Sequence, residues 1–282
     1  MKNINLILVF CFISFSAWGA PCDGNTQTFP TTDPQTGKEW FVKARAFRPA
    51  TSSKVPAIFI LPPIDGANEL DRTLARAFCA SGMGAYIVNI INDPEFEDRT
   101  WDLNTHTYEV LRVEKGLKLV MDKLETDSGV SGKFGILGAS LGGIQSAYIA
   151  GSDTRIIASV ILAGAGNVPG ILAFSEQNTI KNLREARMSL FGIQDQPTYE
   201  SIMNPFILFD PIDVAGNVKP GSMMMFITTK DDDVPTVYQQ ELRSKVREPR
   251  VIEIDAEHIP GIVIAGTVHG PDIIEFFKDW LD

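Results

Sequence analysis

The chain has 282 residues, 44% of them hydrophobic and 9% aromatic, enough to bury one large core. Its 25 basic and 35 acidic residues leave a net charge of −10, which argues against nucleic acid or an anionic membrane surface as a partner. No internal repeat or low-complexity tract divides it, so a single α/β domain over residues 20–282 is expected.

Residues 1–19 stand apart. Lys2 precedes an apolar run from Leu6 to Phe15, which ends in Ser16-Ala17-Trp18-Gly19-Ala20. A charged start, a short apolar middle and small residues at Ala17 and Gly19 make a secretory signal peptide, with cleavage expected after Gly19. The run is short for a membrane span, and neither Phe10 before Cys11 nor Pro21 before Cys22 suits a lipid-attachment site, so no stable membrane anchor is expected. The protein is therefore expected to be exported, to a periplasm or outside the cell. In such an oxidising place Cys22 and Cys79 could pair, or Cys79 could be a core thiol beside an idle Cys22.

A β-hairpin is expected first, with strands over 27–30 and 40–47 turned at Asp33-Pro34-Gln35-Thr36-Gly37. Residues 57–61 form a buried strand, followed by the loop Pro62-Pro63-Ile64-Asp65-Gly66 and a helix over 70–80 that stops at Gly82. The next strand covers 85–90. A polar loop over 92–107 then leads to a helix over 110–124, whose stripe is Val113, Leu117, Val120, Met121 and Leu124. The apolar run Phe134 to Leu137 enters Gly138-Ala139-Ser140-Leu141-Gly142-Gly143 and a helix over 144–149. After a strand over 156–162, residues 166–221 break the alternation with several prolines and one helical pattern over 179–190; a lid-like insertion is expected there. The tail resumes with a strand over 223–228, a helix over 236–246, a strand over 251–254 and a helix over 271–281. Strands alternating with helices predict a mostly parallel sheet covered on both faces.

Strand, sharp turn and helix around Ser140 are the context that makes a G-x-S-x-G match a nucleophile elbow. Serine at the apex needs strained backbone, and glycines two before and two after it let neighbouring backbone pass. The new helix starts with free N–H groups, so that of Leu141 points where negative charge would develop on a substrate carbonyl. The competing explanation of the stretch is a glycine-rich phosphate-cradling turn with Ser140 as a helix cap.

On these residues, with Thr229-Lys230-Asp231-Asp232-Asp233-Val234-Pro235 after one apolar strand and Ala256-Glu257-His258-Ile259 after the last, the chain resembles the α/β-hydrolase superfamily. The resemblance is to its dienelactone-hydrolase-like and small serine esterase members, and it covers nearly the whole mature chain. It implies the order nucleophile, acid, histidine: Ser140, Asp231 and His258. Asp231 is preferred over Asp232 because it stands before Val234-Pro235 as the acid does in the resembling loops. The remaining aspartates read as a solvated turn. His258 is preferred over His269, which precedes the last helix, and over His106, which reads as surface or cap in the polar loop. The resemblance also puts a second oxyanion donor in the loop after residues 57–61, at the N–H of Ile64, although many relatives carry His-Gly where this chain has Pro62-Pro63. Asp65 could bind substrate or cap the next helix.

The three residue types are what acyl transfer requires. A serine hydroxyl is a weak nucleophile at neutral pH, so an imidazole must take its proton and return it to the leaving group, while a carboxylate fixes the ring's tautomer. The sequence has no C-x-x-C, H-E-x-x-H or clustered histidines, no P-loop, and no G-x-G-x-x-G at a strand–helix turn, so no metal or other cofactor is expected. The expected function is hydrolysis of a small ester-like substrate through an acyl-enzyme. An amidase, peptidase or thioesterase would use the same three residues, and a silent ligand-binding protein would keep the fold without the chemistry.

Overall fold

The computed structural model describes Cys22 and residues 24–89 and 101–282. The expected signal peptide, Cys11, Ile90 and most of the polar loop after it lie outside the described residues.

Eight strands follow in chain order: β1 (Asn25–Thr32), β2 (Glu39–Phe47), β3 (Val55–Leu61), β4 (Gly84–Asn89), β5 (Val130–Ala139), β6 (Ile156–Leu162), β7 (Met223–Thr228) and β8 (Arg250–Ile254). They form one sheet in the order β1-β2-β4-β3-β5-β6-β7-β8. The hairpin β1–β2 is antiparallel and β2 meets β4 antiparallel; all pairings from β4 through β8 are parallel. The hairpin turn is set by Asp33, whose carboxylate accepts the N–H groups of Gln35 and Thr36, with Gly37 at φ 69°.

The helices are α1 (Glu69–Ala80), α2 (Thr105–Glu125), α3 (Leu141–Ser152), α4 (Val168–Phe174), α5 (Asn178–Phe191), α6 (Gln196–Met203), α7 (Pro211–Val214), α8 (Thr236–Lys245), α9 (His258–Thr267) and α10 (Gly270–Leu281). Strands buried on both faces read as continuous apolar runs, and alternate residues serve the two sides. Ile58, Ile60, Met224 and Phe226 face α1, α9 and α10, against Phe78, Ile262, Ile273 and Phe277. Phe59, Phe134 and Ile136 face α2 through Val113, Leu117 and Val120, while Ile161, Met223, Met225 and Ile227 face α3 and α8 through Ala147 and Leu242. Each large side chain so buried contributes roughly 1.5–3 kcal/mol. Cys22 and Cys79 form a disulfide that ties the N-terminal arm to α1. Among the described residues no helix is long and apolar enough to cross a membrane.

Three local readings change. The polar loop ends earlier than expected, because α2 begins at Thr105 and the Thr107 hydroxyl donates to the Phe206 carbonyl at 2.7 Å. His106 is therefore buried in the first turn of a helix rather than lying on a surface loop. Residues 258–267, between the expected strand over 251–254 and the expected helix over 271–281, form α9; Pro260 falls in the first turn, where a missing N–H has no carbonyl to bond anyway. Within 166–221 the prolines start helices instead of separating them, with Pro169, Pro197 and Pro211 in the first two positions of α4, α6 and α7.

Candidate active site

β5 delivers Ser140 to the carboxyl edge of the sheet at φ 55° and ψ −122°, a left-handed-side conformation that costs a non-glycine residue roughly 1–3 kcal/mol. The turn is held by the Ser140 N–H on the Leu162 carbonyl at 2.9 Å and by the Ile144 N–H on the Ser140 carbonyl at 3.0 Å. Around it no side chain fits. A Cβ on Gly138 would stand 2.0 Å from the Gly142 carbonyl oxygen, and one on Gly142 would stand 2.0 Å from that of Leu61. The glycines thus let β5, α3 and the end of β3 touch backbone to backbone. Ser140 does not cap α3 with its side chain, which removes the helix-cap explanation of the motif.

The hydroxyl meets a histidine instead. His258 Nε2 lies 2.9 Å from Ser140 Oγ, and its Nδ1 lies 2.6 Å from Asp231 Oδ2. His258 is the first residue of α9 and Asp231 follows β7, so both arrive at the same sheet edge as Ser140. The imidazole and the carboxylate are buried, and Ser140 is half-buried at the edge. Asp231 accepts from the backbone N–H groups of Asp233 (3.0 Å) and Val234 (2.9 Å) on Oδ1, and from the Thr228 hydroxyl (2.5 Å) and the Gln239 amide (2.9 Å) on Oδ2. Every partner of this carboxylate donates to it. A serine, an imidazole and an acceptor-only carboxylate in that order can pass a proton from Oγ to the ring while the ring stays oriented.

The other aspartates and histidines stand elsewhere. Asp232 is exposed, and its carbonyl accepts the Glu176 N–H at 2.8 Å. Asp233 is half-buried; burial pushes its carboxyl upward, with nearby His258 acting in the opposite sense. His269 pairs with Asp272 at 2.8 Å and lies against the Phe226 ring. His106 Nδ1 is 3.6 Å from Glu109, and its buried Nε2 has no hydrogen-bond partner among the described residues. Asp65 is exposed.

Leu141 opens α3, so its N–H has no carbonyl a turn back to bond. The Leu61 and Pro62 carbonyls press on Gly142, which sets the loop carrying Ile64 against the elbow. A turn bond from the Gly66 N–H to the Pro63 carbonyl at 2.9 Å closes that loop around half-buried Ile64. Among the described residues no cluster of three or more His, Cys, Asp or Glu could hold a metal ion.

Sequence reasoning passed over Thr228 and Gln239. Thr228 ends β7 and Gln239 lies in α8, both expected from the sequence, but nothing in the period of a strand or a helix marks a side chain as a partner of Asp231.

No protein-family model matches the chain, and no curated protein does. Solved structures do. An acetyl xylan esterase from Paenibacillus sp. R4 superposes with a TM-score of 0.66 at 14% identity, covering 92% of this chain and 89% of that one. An acylaminoacyl peptidase from Pyrococcus horikoshii gives 0.68 at 15% identity over 92% of this chain, which spans only 42% of the peptidase. A 2,6-dihydroxy-pseudo-oxynicotine hydrolase gives 0.63 at 14% identity, over 91% and 68%. The chain has the α/β-hydrolase fold.

Proposed function

We propose that the protein is a serine hydrolase that cleaves a carboxylic ester through an acyl-enzyme. The observation that carries this reading is the unbroken contact from Ser140 Oγ through the two nitrogens of His258 to Asp231, with Ser140 at the apex of a strained turn. In this mechanism Ser140 Oγ attacks the carbonyl carbon as His258 Nε2 takes its proton. The oxyanion that forms accepts the N–H groups of Leu141 and Ile64. His258 then gives the proton to the departing alkoxide, and Asp231 stays a carboxylate that steadies the imidazolium. Water, activated by the same imidazole, releases the acid. Export after cleavage near Gly19 belongs to the same proposal, and a Cys22–Cys79 disulfide suits an oxidising compartment.

The insertion over 166–221 is proposed to shape the acyl pocket. Ser175 Oγ donates to the Asp233 carbonyl at 2.5 Å and the Glu176 N–H to that of Asp232, which joins the insertion to the acid loop. Val168, Ile171, Leu172 and Ile193 pack its own core with Val234, whereas Phe174 stays half-buried.

A fluorophosphonate probe tests the chemistry. It should label the wild-type protein and fail on a folded Ser140→Ala variant, whose turnover of p-nitrophenyl esters should drop at least about a thousandfold. Near-parental turnover by Ser140→Ala would sink the mechanism, and an unlabelled wild type would favour a ligand-binding protein. Parallel assays on p-nitrophenyl esters and p-nitroanilides decide between ester and amide.

A further inference from the structure

Gln239 is fully buried in α8, and only one orientation of its amide suits its neighbours. Oε1 accepts the backbone N–H of Thr228 at 3.0 Å, while Nε2 lies 2.9 Å from Asp231 Oδ2, 2.9 Å from Thr228 Oγ1 and 2.8 Å from the Val234 carbonyl oxygen. Turned over, the amide would set its oxygen against a carboxylate and a carbonyl and its NH2 against an N–H, so the donors run in one direction. The two hydrogens on Nε2 are shared among these three acceptors, and the Thr228 hydroxyl sends its own proton to Asp231 Oδ2, 2.5 Å away. The approach of Thr228 Oγ1 to Gln239 Oε1, at 3.3 Å, is the poorer destination. The carboxylate oxygen that meets His258 Nδ1 therefore receives two further donors from side chains.

Thr228 is also held from the opposite side. A Cβ on Gly261 would stand 2.0 Å from Thr228 Cγ2, so the helix that begins with His258 carries a glycine where it meets this methyl. Methyl and hydroxyl share one χ1, and swinging the methyl aside would take the hydroxyl off Asp231. One side chain thereby gauges both the acid loop and the histidine helix.

We propose that Thr228 and Gln239 are positioning residues of the hydrolytic site, holding Asp231 Oδ2 in register with His258 and moderating the charge it presents to the ring. The proposal rests on the serine-hydrolase reading given above. Removing a donor loosens the carboxylate that orients the imidazole, and it leaves more negative charge facing Nδ1, which favours the imidazolium before attack.

The test uses the full chain with p-nitrophenyl butyrate from about pH 5 to about pH 9, thermal unfolding serving as the check on folding. Thr228→Val and Gln239→Met should each lose about tenfold or more in kcat with KM within about twofold, and the acid limb of kcat/KM should move to higher pH. Thr228→Ser keeps the hydroxyl and should stay within about threefold of the parent. A folded Thr228→Val with the parental kcat and pH profile overturns the proposal, as does a Thr228→Ser variant as impaired as Thr228→Val. If Thr228→Val does not fold, Gln239→Glu carries the test. It retains the acceptor for the Thr228 N–H but turns an oxygen toward Asp231, so kcat near pH 8 should fall at least about tenfold, and an unchanged kcat overturns the proposal. A Ser140→Ala control separates the two levels: turnover by that variant removes the serine-hydrolase reading, whereas an inactive Ser140→Ala beside an unaffected Thr228→Val removes this inference alone.

Discussion

At the elbow, Gly138, Gly142 and Gly143 let Ser140 stand at the sheet edge by being small, all within six residues of one another in a single stretch. Across the site, Asp231 is held by what neighbouring groups donate, from Thr228 on β7, Gln239 on α8 and the N–H groups of Asp233 and Val234, and it in turn meets His258 Nδ1. The first half is a steric device and the second a hydrogen-bonding one. They should fail differently. Added volume breaks the elbow, while the acid–histidine half breaks when a donor or acceptor is lost at unchanged volume.

The largest expected effect lies in the second half. On the proposed mechanism His258→Ala removes the proton carrier, so kcat/KM should fall by at least about a thousandfold while the thermal midpoint moves little. A His258→Ala enzyme within tenfold of wild type would show that another group serves as base.

Gly142→Ala comes next and tests the steric half. Its methyl would stand 2.0 Å from the Leu61 carbonyl oxygen, so strand and elbow must part. We expect overpacking of about 1–3 kcal/mol in denaturant unfolding together with about a hundredfold loss of turnover. If stability falls and turnover survives, the glycine serves packing alone.

A third place sharpens the contrast, because there hydrogen bonding does not offset burial. Asn68 and Asp71 form a capping box at the start of α1, and burial pushes the Asp71 carboxyl up to about 6 although it accepts the Asn68 N–H at 2.9 Å. The folded value lies above the ordinary 3.8, so the contribution to stability is fully present below about pH 4 and is lost as pH rises through about 6. A shift of about two units corresponds to roughly 3 kcal/mol near pH 7. Asp71→Asn keeps an acceptor without a charge, so relative to the parent it should gain stability between about pH 4 and about pH 7. Urea unfolding at both ends of that range measures it; a difference between the two proteins that does not change with pH would remove this account.

The smallest effects belong to residues outside the contact chain. Asp232 is exposed and His269 is engaged with Asp272, so Asp232→Asn and His269→Ala should each leave kcat/KM within about twofold. A large loss in either would move the acid or the base away from Asp231 or His258.

Much of the arrangement around Ser140 is legible in the sequence. The elbow, the strand before it and the helix after it are neighbours in sequence, and glycine spacing with hydrophobic period is a local code. Asp231 and His258 could be singled out because the segments that carry them resemble the acid and histidine loops of the α/β-hydrolases, and parallel strands bring their carboxyl ends to one edge. The eight strands and the parallel sheet follow from the same alternation.

What tertiary structure alone decided joins residues that no period relates. The pairing of Cys22 with Cys79, the bond from Ser175 to the acid loop and the packing of α4 on α8 through Gly170 and Tyr238 belong here. So does α9, whose Ile259-Pro260-Gly261 reads locally as a break. In the fold, Pro260 sits where no N–H is needed, and Gly261, at roughly 0.5–1 kcal/mol of helix propensity, makes room for Thr228. Local sequence sets which backbone conformations are cheap and which face of an element is apolar. Which side chain meets another across the sheet edge depends on register and packing, and these are set only when the whole core closes.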